Sequence, residues 1–461
     1  VLARFPLAGE KDVDVAVNAA FEALEKWKQT PAPARARIIG RAWRIAEERL
    51  DEVAQAMTFE SGKTMAESKG EMVKGNNILE FYAGEGLRLY GETAPSELKS
   101  NLLYTIRQPV GIVALITPWN FPWAIPCWKA APALVAGNTV VLKPSSYTPL
   151  TAYHLVKFFE EAGLPSGVLN MITGPGEEVG NVMIRDQRVG AVSFTGSTEV
   201  GKGVAKTAMS GGRKVACEMG GKNPCLVMED ADLELAAEGV IKGAFGNAGQ
   251  RCTATSRCIV VDAVADEFLR ILVPRSEELK VGPGTDPRSD VGPLISRAQL
   301  EKVLSYVELG QEEGAKLLCG GRRVTDGSLA QGYFVAPTIF DYVKPEMRIA
   351  QEEIFGPVLS VLRARDFEEG LRWANMSAYG LSSALYTKNV YRIMRFIEAM
   401  DAGMVHINSP TLGGEAQVPF GGIKNSGIGH REMAKAAIDF FTEWKTVFVD
   451  YSAAEKRPDI Y

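Results

Sequence analysis

Histidine is scarce in this chain: three in 461 residues, His154, His406 and His430. A multi-histidine metal centre is therefore not expected, and few partners remain for a Ser-His or Cys-His pair. Cysteine is sparse as well. The six, Cys127, Cys217, Cys225, Cys252, Cys258 and Cys319, are too few for a disulfide scaffold in a chain of this length. None stands in the C-x-x-C spacing of zinc or thioredoxin-like sites. Free thiols in a reducing cytoplasm, and no bound metal, are the expectation. No run of about 18 or more apolar residues occurs, which excludes an apolar membrane-spanning helix. Basic charge is not in excess: 51 Lys plus Arg face 56 Asp plus Glu, a net charge of −5, so nothing points to nucleic acid. The chain opens Val1-Leu2-Ala3-Arg4-Phe5, with no methionine and no signal-like apolar stretch. A trimmed start is expected, and any targeting segment lost with it is out of sight.

What is present is a composition suited to a large buried core: 46% hydrophobic residues, 23% charged. At roughly 150 residues per domain the length suggests about three units. The first hundred residues read as helices. Val13, Val17, Ala20, Phe21, Leu24 and Trp27 recur at helical spacing, ended by Pro31 and Pro33. A second helix is expected to run through Ile38, Trp43, Ile45, Leu50 and Val53. From about residue 110 short apolar runs bounded by Gly or Pro take over: 110–116, 139–142, 168–172 and 191–194, with 225–228 and 258–261 further on. Helical stretches such as 150–162 separate them. Alternation of this kind predicts an α/β fold with mostly parallel sheets covered by helices. Two strand-like segments, 102–107 and 446–449, stand outside the alternation and could pair as an arm.

Two phosphate-loop look-alikes carry little. Ser61-Gly62-Lys63-Thr64 ends like a P-loop, but Met57 stands where that motif needs glycine, and a helix rather than a strand precedes it. Gly174-Pro175-Gly176 with Gly180 is one residue too long for the dinucleotide fingerprint; a plain strand-to-helix turn explains it equally well.

Three stretches suggest chemistry. Cys252 follows Gly249-Gln250-Arg251 in a polar, glycine-containing loop, unlike a core cysteine among aliphatics; an exposed thiolate there is a candidate nucleophile. Glu218 precedes Met219-Gly220-Gly221 and is a candidate general base, although a solvated surface glutamate is the plainer reading of that residue alone. Asn120, in Pro118-Trp119-Asn120-Phe121-Pro122 after the strand-like run ending at Ile116, lies where α/β sites form. Its amide is a candidate oxyanion donor; a turn asparagine between prolines is the alternative.

Together with L-K-P-S at 142–145, S-F-T-G-S at 193–197, E-M-G-G-K-N-P at 218–224, E-E-I-F-G-P at 352–357 and P-F-G-G-I-K at 419–424, these stretches make the chain resemble the NAD(P)-dependent aldehyde dehydrogenase superfamily from about residue 10 to 450. The family's usual strand pair ahead of residue 1 is absent. The resemblance implies a Rossmann-like cofactor domain over 1–87 and 109–220 and an α/β catalytic domain over 221–420. It further implies a small β oligomerisation arm over 88–108 and 436–461, with 421–435 returning to the cofactor domain. Homodimers or homotetramers would follow.

The resemblance also implies the roles. Cys252 would attack an aldehyde carbon, Asn120 and the Cys252 N–H would hold the oxyanion, and Glu218 would activate water against the thioester. Lys143 would bind the adenosine ribose; Gly196 and Ser197 would face the pyrophosphate at a helix N-terminus; Glu353 would bind the nicotinamide ribose with Phe355 beside it. Ile116, Thr117, Trp119, Ser145, Ser146, Gly176 and Phe194 complete the expected cofactor contacts. Where NAD-specific members often carry Glu, this chain has Ser146. The loss of that carboxylate removes repulsion against a 2′-phosphate, so NADP is expected to be accepted at least as well as NAD. The segments 406–411 and 415–419 are similar to the group oxidising α-ketoglutaric semialdehyde (2,5-dioxopentanoate). Succinate semialdehyde, glyceraldehyde and general aliphatic enzymes lie near. Arg251 is the candidate cation for a substrate carboxylate. Thr253, Phe121 and Trp128, with Trp123 and Cys127, are expected to shape the substrate tunnel. A CoA-acylating enzyme often lacks the general base, and a thiol hydrolase would want a histidine beside Cys252.

Overall fold

Residues 1–452 are described by the computed structural model; 453–461, the end of the expected arm, lie outside the described residues. Four helices open the chain. Helix α1, Glu10–Gln29, buries Val13, Val17, Ala20 and Trp27, and α2, Ala32–Glu48, starts from Pro31. The expected second helix is in fact two. The backbone leaves helical geometry at Arg49 (φ −107°, ψ 22°), and α3 runs over Leu50–Ser61. Ile39, Ala42, Ala46, Val53 and Met57 stay in phase across this break, so the apolar period alone does not reveal it. Gly62 ends α3 at φ 83°, where a Cβ would meet Pro293 at 2.5 Å. Thr64 then caps α4, Met65–Glu85, in a reciprocal capping box with Glu67. The P-loop look-alike is this helix-to-helix turn.

Two sheets carry the rest. One has six strands in the order Gly427–Ile428, Lys214–Glu218, Val189–Thr195, Ile112–Ile116, Thr139–Lys143, Leu169–Met171, parallel except for the first. The second has seven: Lys316–Cys319, Thr338–Asp341, Val358–Ala364, Thr255–Val261, Asn223–Val227, Ser382–Tyr386 and Met404–Ile407, again parallel but for the first. Strands such as Thr139–Lys143 are buried throughout, as expected where helices cover both faces of a parallel sheet. Only Met219–Lys222 separates Glu218, the last residue of a strand in one sheet, from Asn223, the first of a strand in the other. Arg257 fastens that link: its buried guanidinium donates to the carbonyls of Lys222, Trp373 and Ala374.

The two stray segments do pair. Asn101–Pro109 and Thr442–Asp450 form an antiparallel ladder, with Thr93–Ala94 on the far edge. The helix Ala434–Phe441, which overlaps the start of the segment expected as arm, instead packs on α5, Ala124–Ala136. The arm strand itself begins at Thr442. Among the described residues no helix is long and apolar enough to cross a membrane.

One buried carboxylate joins these helices to the loop before α5. Glu71 of α4 accepts the backbone N–H of Trp123 (2.8 Å) and of Ala124 (3.1 Å) and pairs with Lys63. Lys63 in turn donates to the Asn120 carbonyl at 2.7 Å. Removing Glu71 would strand the Lys63 ammonium in a buried setting. Glu71→Ala is therefore expected to cost about 3 kcal/mol, read as a lowered midpoint in denaturant unfolding; a midpoint equal to that of the parent protein would contradict this.

Candidate active site

Cys252 follows a tight turn. Helix Leu233–Phe245 gives way to Gly246–Gly249, where Asn247 (φ 53°), Ala248 (φ 52°) and Gly249 (φ 69°) are all left-handed. Non-glycine residues adopt that region at a cost, and here neighbours enforce it. Glu67 accepts the Asn247 N–H. Gln250 donates to the Asn247 and Pro293 carbonyls and accepts the N–H of Ile295. Glycine is required at 249 because a Cβ would come within 2.1 Å of the Gly356 carbonyl oxygen. Beyond the turn, the Asn223 side chain donates to the carbonyls of Cys252 and Ala254, each at 2.8 Å. Cys252 is thus held from both sides.

The sulfur-bearing residue stands where two cavities meet. One, of about 200 Å³, is lined by Trp119, Asn120, Thr195, Gly196, Ser197, Gly220, Glu353 and Phe355 together with Cys252. The other, of about 280 Å³, is lined by Glu67, Glu71, Lys74, Phe121, Trp128, Arg251, Thr253, Gly413, Gly414 and Phe420, again with Cys252. Asn120 is buried and spends one amide N–H on the Gln250 carbonyl at 3.1 Å, which leaves its second N–H.

Burial pushes the Cys252 thiol up to about 12; the nearby carboxylates Glu353 and Glu218 push the same way, and the Lys74 ammonium opposes them. Cys252 is half-buried rather than exposed, which corrects the expectation of an open surface thiolate. Glu218 is buried too, at 2% exposure, not solvated. Burial first, then the Glu432 carboxylate, hold its carboxyl well above the usual range, against the opposing pull of Arg431. One oxygen of Glu218 accepts the Gly422 N–H at 3.1 Å; the other has no hydrogen-bond partner among the described residues. The carboxylate is therefore turned toward the Gly421-Gly422 backbone.

The first cavity has the features a dinucleotide needs. Ser197 begins the helix Thr198–Ser210 without a side-chain cap, so the first-turn N–H groups face outward unclaimed by a capping side chain. The Thr195 hydroxyl is buried with no hydrogen-bond partner among the described residues. Gly196 lies so close to Phe194 that a Cβ would strike its ring at 2.5 Å. Glu353 accepts the Gly221 N–H at 3.0 Å, and burial raises its carboxyl. Phe355 (φ 60°) meets Trp119 edge-on with ring centres 5.5 Å apart.

The remaining expected cofactor residues gather along the carboxyl edge of the six-stranded sheet, outside the cavity that holds Cys252. The Thr117 N–H bonds the Lys143 carbonyl at 3.1 Å, and Lys143 Nζ donates to the Pro144 carbonyl at 3.1 Å. A Cβ on Gly180 would touch both Ile116 and Lys143. The Ser146 hydroxyl donates to the Gly174 carbonyl at 3.0 Å, Ser145 accepts the N–H of Tyr147, and Gly176 opens onto empty space.

All four expected substrate residues, Phe121, Trp128, Arg251 and Thr253, line the second cavity. Trp123 and Cys127 do not. They are fully buried against α4, where a Cβ on Gly75 would meet Trp123 at 2.3 Å and the Cys127 sulfur at 3.3 Å. Sequence reading missed Gln299 and Lys302 on the cofactor side and Glu67, Glu71 and Lys74 on the other. The last three had a signal: positions 67, 71 and 74 fall on one face of a helix.

The aldehyde dehydrogenase family profile matches residues 1–447. An α-ketoglutaric semialdehyde dehydrogenase of Bacillus subtilis is 48% identical over 95% of this chain and 90% of its own length. A 2,5-dioxopentanoate dehydrogenase of Saccharolobus solfataricus is 44% identical over 97% of this chain and 93% of its own. Among solved structures, betaine aldehyde dehydrogenase from Staphylococcus aureus in complex with NAD+ superposes with a TM-score of 0.95 at 35% identity, covering 99% of this chain and 90% of that one.

The raised thiol sets a sign for reactivity. Thiolate is the reacting form, so a thiol held high is mostly protonated at neutral pH and its thiolate fraction grows about tenfold per pH unit. Alkylation of Cys252 by iodoacetamide, followed by mass spectrometry, is expected to accelerate steadily from pH 7 to 9. A rate already on its plateau at pH 7 would show a depressed thiol instead.

Proposed function

The chain belongs to the aldehyde dehydrogenase family, and from that premise we propose that it oxidises α-ketoglutaric semialdehyde (2,5-dioxopentanoate) to the dicarboxylic acid with NAD(P)+. The carrying observation is the place of Cys252 at the junction of a cavity suited to a dinucleotide and one suited to a short aldehyde. The named relatives at 44–48% identity support the substrate; succinate semialdehyde, which also ends in a carboxylate, is the nearest second reading.

Cys252 releases its proton to solvent water, its sulfur bonds the aldehyde carbon, and the carbonyl π electrons move to oxygen. The free N–H of Asn120 and the Cys252 backbone N–H receive that oxyanion, a contribution of about 10²–10³ in rate per donor. The chemistry the dinucleotide supplies when bound is acceptance of a hydride from that carbon. A thioester on Cys252 remains. Glu218 then swings from the Gly422 N–H toward the sulfur, takes a proton from water, and the hydroxide expels the thiolate as the carboxylate forms. Once ionised, a carboxyl that burial raises is a stronger proton acceptor than a solvated one.

The N-terminus of helix Thr198–Ser210 would hold the pyrophosphate, Glu353 and Phe355 the nicotinamide end, and Lys143 with Ser146 the adenosine ribose. We read 1–87 with 109–220 as the unit that binds it and 221–420 as the unit that supplies Cys252. The paired strands Asn101–Pro109 and Thr442–Asp450 expose Leu102, Ile106, Trp444, Phe448 and Val449, which supports a homodimer or homotetramer. A thiol hydrolase is disfavoured because no histidine lines either cavity among the described residues.

Cys252→Ala is expected to abolish NAD(P)H formation while titration still shows cofactor binding. Glu218→Gln should give a burst of reduced cofactor and then a stalled thioester; normal steady-state turnover would remove Glu218 from the mechanism. With Ser146 in place of a carboxylate, kcat/KM with NADP+ is expected to match that with NAD+ within about tenfold. A value below about a hundredth would assign the specificity elsewhere.

A further inference from the structure

The cavity on the substrate side of Cys252 contains a charge that the mechanism above does not use. Lys74, on α4, places its ammonium 5.4 Å from the ring centre of Trp128, 5.7 Å from that of Phe420 and 5.9 Å from that of Phe121. Three aromatic rings therefore surround it. The carboxylates on the cavity wall are committed elsewhere. Glu71 pairs with Lys63 and accepts two backbone N–H groups. Glu67 accepts from Thr64 and Asn247 and faces Arg251 at 3.4 Å. Among the described residues no carboxylate reaches Lys74 within ion-pair distance; burial, the largest influence, pulls its pKa down, Arg251 adds to that, and Cys252 and Glu71 oppose it. A cation kept in such a place without a counter-ion lowers the stability of its own charged form, and an anionic ligand would relieve that. Gly414 borders it: a Cβ there would stand 3.6 Å from the ammonium.

We infer that Lys74 determines substrate charge: its ammonium receives the carboxylate at the far end of a short oxo-acid and turns away aldehydes that end in a cation. This rests on the proposed reading of the chain as a dehydrogenase of carboxylate-bearing aldehydes, and it moves the main recognition from Arg251, which already faces Glu67, to a residue on another element. The second half follows from the same rings. An aromatic cage of this form attracts quaternary ammonium groups, and here Lys74 occupies it, so a trimethylammonium end would meet a filled cage of like charge. The cavity of about 280 Å³ is small for a ligand site, which suits a chain of four or five carbons.

The test compares three aldehydes with the intact enzyme: succinate semialdehyde or 2,5-dioxopentanoate, butanal, and betaine aldehyde. In the parent protein kcat/KM should fall in that order. In Lys74→Met the ratio of the anionic to the neutral substrate should fall about thirtyfold or more, the size expected for losing a charge-assisted contact, and the ratio of betaine aldehyde to butanal should rise. Lys74→Arg should keep the parent ratios. Because Lys74 also lowers the Cys252 thiol, Lys74→Met can slow all three together, and only the ratios read recognition. Should Lys74→Met not fold, protection of Cys252 from iodoacetamide by glutarate in the parent protein and in Lys74→Gln supplies the same comparison, with protection expected only in the parent. Ratios unmoved by Lys74→Met, or equal glutarate protection in both proteins, overturn the role of Lys74 while leaving the substrate reading intact. A parent protein that prefers butanal to both oxo-acids overturns the substrate reading itself.

Discussion

The sulfur proposed here to attack the aldehyde is kept where anions are penalised. That tension at Cys252 organises the molecule. Two carboxylates, Glu353 and Glu218, bear on the thiol in the same sense as burial, and one ammonium, Lys74, bears against them. A fully solvated thiol would ionise more easily and would also be exposed to every electrophile and oxidant in solution. Held protonated, Cys252 is quiet until something shifts the balance. Each cavity brings its own charge to that atom, Glu353 from one side and Lys74 from the other.

Holding that atom in place takes elements from both sheets. The left-handed residues Asn247 to Gly249 set the approach, the Asn223 amide clamps the exit, and the Gly356 backbone packs so closely on Gly249 that no side chain fits between. Asn120 comes from the other sheet's edge and is fixed through Lys63 and Glu71 on the helical layer. The segment Met219–Lys222 is short, so the last residue of one sheet's strand, Glu218, moves with the junction itself. One oxygen of its carboxyl group accepts the Gly422 N–H, and the other has no partner among the described residues, a polar group left unsatisfied in a region where most are paired.

Much of this was legible in the order of residues, for physical reasons that differ by element. Buried parallel strands need unbroken apolar runs between glycines and prolines, and 139–142 and 191–194 show them. The arm strands were visible as segments that fit no alternation. The break at Arg49 was not, because the apolar spacing keeps its phase through the kink. The burial of Glu218 was hidden as well: a glutamate beside two glycines looks like surface until Glu432, Arg431 and the Gly421-Gly422 backbone, all some two hundred positions later, close around it. Trp123 and Cys127 lie one helical face away from Trp128, and only the packing of Gly75 against them decides which face meets the core. The helical spacing put Lys74 on one face with Glu67 and Glu71, but not beside its rings, because Phe121 and Trp128 reach it from one segment and Phe420 from another some three hundred positions later.

The arm has a consequence for how the molecule is made. Arg107 bonds Thr442, 335 positions further along, and the whole strand Asn101–Pro109 finds its long partner only in Thr442–Asp450. While the ribosome is still producing the intervening polypeptide, this early strand has a bare hydrogen-bonding edge and exposed Leu102 and Ile106. Unpaired edges of that kind invite stray pairing, and the long ladder that covers this one closes only once Thr442–Asp450 has been made.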